Sequence, residues 1–154
     1  DVLVFQTAPL VEDVEITGPV SVDLWISSSA VDTDFTAKLI DVYPPSADYP
    51  EGYALNLTDG ILRVKFRNSW ERTELMEPGE VYRVELGLLP MSNLFVAGHR
   101  IRLDISSSNF PRFDVNGNTG ENPGTSAVRM TALNSVYHDE SRLSHVLLPV
   151  IPVF

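Results

Sequence analysis

Along the chain, apolar and polar residues alternate with a period of two. In Val20-Ser21-Val22-Asp23-Leu24-Trp25-Ile26 every second side chain is aliphatic. Tyr82, Val84, Leu86 and Leu88 alternate with Arg83, Glu85 and Gly87, and Ile101, Leu103 and Ile105 with Arg100, Arg102 and Asp104. Leu62-Arg63-Val64-Lys65-Phe66-Arg67 follows the same rule, which predicts a strand with its three cations in a solvated stripe. A two-residue period marks a sheet with one buried face. Val, Ile and Thr far outnumber Ala, and these β-branched side chains fit a pleated sheet better than a helix.

Turn residues separate the runs: Gly18-Pro19, Pro44-Pro45, Asp59-Gly60, Pro78-Gly79, Gly98, Asn116-Gly117 and Pro123-Gly124. Asp59-Gly60 predicts a tight hairpin, since both residues tolerate positive φ. Residues 144–151 predict a last strand whose Pro149 places that end at a sheet edge. Only 68–76 and 121–127 offer a short helical turn. About nine strands without βαβ alternation predict an all-β fold, a β-sandwich with jelly-roll topology, in a single domain over residues 1–154.

Composition narrows the functions. The 154 residues carry 21 acidic and 11 basic side chains, a formal charge of −10. This balance argues against a nucleic-acid partner, whose phosphates require Lys and Arg. No run approaches the ~20 apolar residues of a membrane span, so no membrane partner is expected. The absence of cysteine excludes disulfides, thiolate metal sites and cysteine nucleophiles. The chain opens at Asp1 without an initiator Met or a basic leader, which predicts a segment of a longer polypeptide.

Catalytic chemistry is sparse. The G-x-S-x-G elbow of an α/β-hydrolase does not occur. The serine triplets 27–29 and 106–108 sit at strand ends and are expected to bond nearby backbone. His99, His138 and His145 are the only bases for a serine triad, so no catalytic residue is assigned. No cofactor is expected either. Asp114, Asn116 and Asn118 begin like a calcium loop, but Thr119 stands where the turn Gly belongs and Thr125 where the bidentate Glu belongs. An Asx turn is the plainer reading. His138-Asp139-Glu140 lacks the spacing of a zinc helix and reads as a surface turn. Asn56-Leu57-Thr58 is a formal glycosylation sequon in a chain with no sign of secretion.

Two surfaces remain as binding candidates. Trp25, Tyr43, Tyr49 and Tyr53 would suit an aromatic platform for sugar rings, as in a free-standing carbohydrate-binding module. Asn109, Phe110, Pro111, Arg112 and Phe113 combine aromatics with Arg, a composition suited to an interdomain interface.

Several strings are more particular than any sandwich requires. Thr17-Gly18-Pro19-Val20, Asp32-Thr33-Asp34-Phe35-Thr36-Ala37-Lys38-Leu39, Leu57-Thr58-Asp59-Gly60-Ile61-Leu62-Arg63 and Ala97-Gly98-His99-Arg100-Ile101-Arg102 occur in order. Ser106-Ser107-Ser108-Asn109-Phe110-Pro111-Arg112-Phe113-Asp114, Asn118-Thr119-Gly120 and Ser144-His145-Val146-Leu147-Leu148-Pro149 complete the series. Together they resemble the C-terminal non-catalytic domain of the X-Pro dipeptidyl-peptidase and cocaine-esterase-like (CocE/NonD) hydrolases. The resemblance implies a galactose-binding-domain-like jelly roll and a parent serine hydrolase that cleaves esters or amides. It also implies that the Ser–His–Asp triad lies in an α/β-hydrolase catalytic domain, the expected partner, on residues with no counterpart here. A second copy of the chain is the other partner to consider. Residues 43–53 look longer than the family's short turn at that point, where specificity or a subunit contact would change.

Overall fold

The computed structural model describes residues 1–122 and 127–152. Twelve short strands run β1 (Val2–Gln6), β2 (Val14–Gly18), β3 (Ser21–Ser28), β4 (Asp34–Tyr43), β5 (Tyr53–Arg63), β6 (Tyr82–Gly87), β7 (Met91–Phe95), β8 (Arg100–Ser106), β9 (Asn134–Asp139), β10 (Arg142–Leu143), β11 (His145–Leu147) and β12 (Val150–Ile151). All pairings are antiparallel. One sheet has the order β1-β8-β4-β5. In the facing sheet β3 is central, with β6 on one side and β9 and β11 along the other, while β12-β2-β7 form a third, small sheet. This is a β-sandwich of the jelly-roll kind.

The core lies where the two larger sheets face. Val22, Leu24 and Ile26 of β3, with Val84 and Leu86 of β6, meet Phe35, Ala37 and Leu39 of β4 and Ile105 of β8. Along β6 each of these alternates with an outward polar or glycine neighbour, as the two-residue period predicts, whereas on β4 the intervening Asp34, Thr36 and Ile40 are buried as well. The single strand expected over residues 144–151 is instead two, split at Leu148-Pro149: β11 pairs with β3 in the facing sheet, and β12 lies at an edge, paired only with β2.

Three further expectations are corrected. Asp59-Gly60 is no hairpin: both residues lie within β5, opposite Lys38 and Ala37, and the β4–β5 hairpin closes through residues 44–52. Gly60 is required for close approach instead, because a Cβ there would stand 2.7 Å from the carbonyl oxygen of Gly87. Second, the strand expected through Arg67 stops at Arg63 and gives way to a single 3-10 turn, Val64–Phe66. The supposed solvated stripe is therefore wrong at its centre, for Lys65 is buried at 1% exposure. Third, residues 68–76 form bends, not a helical turn; Ser69 caps the amides of Glu71 and Arg72, and Met76 is drawn into the core. The other expected turn, 121–127, lies mostly outside the described residues.

Candidate functional site

A long loop follows β8, and buried charge on neighbouring strands ties it down at two points. The first tie is Asp59, 4% exposed in mid-β5. Its Oδ2 accepts a hydrogen bond from Asn109 Nδ2 at 2.9 Å, and its Oδ1 pairs with Arg112 Nη1 at 3.0 Å. The carbonyl of Asn109 accepts the amides of Arg112 and Phe113, which folds 109–113 into a tight turn. The Phe110–Pro111 peptide is cis. Phe110 projects from this turn at 71% exposure, while the Arg112 guanidinium lies 5.7 Å from the centre of the half-buried Phe113 ring.

The second tie is a buried polar network. Arg63 donates two hydrogen bonds of 2.9 Å to the Asp34 carboxylate and a third, 3.4 Å, to the carbonyl of Asp114. Paired forks of this geometry are among the stronger ion pairs, and the bond to Asp34 raises the Arg63 pKa further. Asn116 Nδ2 bridges Asp32 Oδ2 at 3.1 Å and Asp34 Oδ1 at 2.7 Å. Lys65 Nζ donates to the carbonyls of Gly120 and Glu121, both at 3.0 Å, and to Asn122 Oδ1 at 3.3 Å. It also stands 3.9 Å from Asp32 Oδ2. Asp32 is fully buried. Its burial raises its pKa, against the opposing pull of Asn116 and of Lys65. Every charge in this cluster has a partner, as a buried charge must.

This wiring also places the calcium-like residues. Asn116 Oδ1 accepts the amide of Asn118, an Asx turn, with Asn118 in the left-handed region at φ 61. Asn118 Nδ2 donates to the carbonyl of Met130. Asn118 thus spends its side chain on the loop itself, Asn116 divides its own between the loop and the two carboxylates, and Asp114 enters the network through its backbone. Among the described residues no three His, Asp or Glu side chains converge as a metal site.

The aromatic candidates separate into two places. Tyr43 and Tyr53 face each other at the loop end of the β4–β5 hairpin, rings 6.1 Å apart, and Tyr49 lies 5.1 Å from Tyr53. The Tyr43 ring also rests 4.2 Å from that of His99, whose Nδ1 bonds Asp41 Oδ1 at 2.9 Å; Asn93 holds the other carboxylate oxygen. Trp25 does not join them. It sits on the facing sheet between Arg83 and Tyr137, half-buried.

Among the described residues no histidine bonds a serine hydroxyl. His99 bonds Asp41, His145 Nδ1 bonds the carbonyl of Leu143, and His138 makes edge contact with Phe5. The serine triplets act as strand-end hydroxyls: Ser28 Oγ accepts the amide of Ala30, Ser29 Oγ that of Leu133, and Ser106 Oγ bonds Thr36. The segment His138-Asp139-Glu140 is only partly the expected surface turn: His138 and Asp139 end β9, opposite Leu143 and Arg142 of β10, and only Glu140 enters the turn, while Ser141 and Arg142 bring the Asp139 pKa down to about 2.

The residues missed in the sequence are Asp32, Asp34, Asp41, Asp59 and Lys65. Asp32 and Asp34 flank Thr33 beside an apolar run, a usable signal. Lys65 gave none, because it occupies the polar slot of an intact alternation.

Residues 1–147 match the family described as the X-Pro dipeptidyl-peptidase C-terminal non-catalytic domain. The cocaine esterase of Rhodococcus sp. (strain MB1 Bresler) is 45% identical over 153 residues, 98% of this chain and 26% of that protein. Among solved structures, a selenomethionine-labelled α-amino acid ester hydrolase superposes with TM-score 0.91 at 33% identity, over 98% of this chain and 26% of its own. An aminopeptidase from a marine sediment Thaumarchaeota archaeon gives 0.90 at 29% identity, over 99% and 26%. The chain therefore spans about a quarter of the length of these relatives. It belongs to the family of X-Pro dipeptidyl-peptidase C-terminal non-catalytic domains.

Proposed function

We propose that this β-sandwich is the accessory domain of a serine hydrolase of ester or amide bonds. In this reading it packs on an α/β-hydrolase domain of the same polypeptide and lends a loop to the wall of the substrate cleft. One observation carries the proposal: Phe110 is held out at 71% exposure by a turn whose base is fixed to buried Asp59. Exposed, preorganised aromatics flanked by Arg are the usual anchors of an interface. In this reading the chemistry belongs to the partner domain, and the histidine side chains are bonded elsewhere: among the described residues none bonds a serine hydroxyl. The relatives' names, an esterase, an ester hydrolase and an aminopeptidase, support the reaction class.

The test uses p-nitrophenyl esters and X-Pro dipeptide substrates. The complete polypeptide should turn over at least one of them, and the purified 154-residue chain none above a denatured control. Turnover by the pure chain would overturn the reading.

The clustered Tyr43, Tyr49 and Tyr53 favour a second reading, a sugar-binding face, from which Trp25 is now removed. Calorimetric titration with simple sugars and polysaccharides decides it. Saturable heat that Tyr49→Ala abolishes supports it, and absence of heat rejects it.

A further inference from the structure

The sandwich is sealed along one side and open along the other. On the sealed side β5 approaches β6 so closely that only glycine fits at position 60. On the open side the outermost strand is β1, facing β9 and β11. Between them runs a groove in two stretches that share Ile105 and Val136. The first, about 470 Å³, is walled by Phe5, Leu24, Leu103, Val146 and Leu148. The second, about 500 Å³, is walled by Leu3, Phe35, Leu133, Ser107 and Asn134.

Two features indicate what fills it. Strand β1 reads Val-Leu-Val-Phe-Gln and pairs with β8 on one side only. Val2, Leu3, Val4 and Phe5 are 55%, 47%, 50% and 39% exposed, with no Lys, Pro or bulge to guard the edge. Natural proteins cover such an edge or blunt it. The second feature is Asn134 Oδ1. It is buried and has no hydrogen-bond partner among the described residues, while its Nδ2 already donates to Thr33 and Ser107. A buried acceptor of this kind calls for an N–H or O–H donor.

We propose that a β-strand of the same polypeptide, lying outside these 154 residues, occupies the open side. It pairs along the free edge of β1, sets alternate apolar side chains between Leu103, Val136 and Leu148, and gives a hydrogen-bond donor to Asn134. A free strand edge selects an extended backbone, and apolar walls below it select alternating side chains. Five residues of β1 offer about 17 Å of edge, ample for one added strand.

A second copy of the chain fits less well. Two β1 edges paired to each other would continue the sheet, but each β1 is fixed to its own β8 and cannot turn into the groove as an unattached strand can. A tethered strand has a further advantage, because a short linker presents it at an effective concentration of about millimolar. The relatives carry that spare length, since this chain matches only 26% of the cocaine esterase. The proposal rests on β1 and the groove, not on Phe110, so either can fail without the other.

The experiment is residue-resolved hydrogen exchange on the complete polypeptide, joined to photo-cross-linking from Phe5→p-benzoylphenylalanine. The amides of β1 that point away from β8 should exchange about 100-fold or more slowly than unstructured amides. The cross-link should fall on a segment outside the 154 residues. Free exchange at those amides overturns the proposal. So does a cross-link confined to the 154 residues, or one to a second copy with protection that grows with protein concentration.

Discussion

Two long loops leave the same sheet, and they are built on opposite plans. The 44–52 loop between β4 and β5 holds together locally. Ser46 and Gly52 donate to the carbonyl of Tyr49, and tyrosine rings lean on one another at the surface. The loop after β8 is wired into the interior, through Asp59 at its first turn and through Lys65, Asp32, Asp34 and Asn116 further on. The first plan tolerates change in length, since no buried group depends on it. The second fixes a conformation, because displacement would leave carboxylates unpaired inside the protein. A domain that must present Phe110 at a constant angle needs the second plan.

The sharpest way to break this contrast is Lys65→Met, which keeps the aliphatic stem and removes the ammonium. Breaking one partner of a buried pair costs about 3–5 kcal/mol. Urea unfolding should register that loss, and exchange should accelerate through 114–122. A loss under 1 kcal/mol would mean the loop stands without its clamp.

Next in size is Phe110→Ala. In the 154-residue chain stability should stay within about 0.5 kcal/mol, as for other exposed substitutions. In the complete polypeptide the same change should remove about 1–3 kcal/mol of interdomain packing, read as a lower melting temperature. Unchanged melting and kinetics there would reject docking through this loop.

A smaller effect tests the wired loop through pH. Burial raises the Asp32 pKa above the ordinary aspartate value. The native state therefore binds the proton more tightly than the unfolded chain does. This group's share of stability is full at low pH and falls as pH rises through the window between the two values. Asp32→Asn should flatten that part of the stability profile. Equal profiles for wild type and Asp32→Asn would show that the network does not sense the charge.

The smallest expected change is Tyr49→Ala, within about 0.5 kcal/mol by urea unfolding, since its ring is 53% exposed. A loss above 1 kcal/mol would show that the 44–52 loop is as firmly anchored as its counterpart.

The strands were legible because burial writes itself as alternation: Val22, Leu24 and Ile26 announced β3, and Ile101, Leu103 and Ile105 announced β8. The segment 109–113 drew notice through its aromatics beside Arg, but its tight turn and its anchorage to Asp59 did not show in the sequence. What stayed hidden was pairing between distant positions. Asp59-Gly60 has the chemistry of a turn, and only the neighbouring strands reveal a carboxylate that anchors Asn109 and Arg112. Lys65 has the pattern of a solvated lysine, and its burial depends on carbonyls 55 and 56 residues away. The resemblance to the family placed the domain correctly but said nothing of this wiring.

The Asx turn at Asn116 bears on how the protein ages. Asn followed by Gly is the dipeptide most prone to lose its side-chain amide, through attack by the next backbone nitrogen. In the folded state both ends of the Asn116 side chain are engaged, by Asp32, Asp34 and the amide of Asn118, so the ring closure is denied its geometry. Once the chain unfolds, that protection ends. The product would bring a third carboxylate against Asp32 and Asp34 in place of the donor they need. A molecule that stays unfolded for long thus forfeits its way back, and the turn records each such episode as permanent chemical damage.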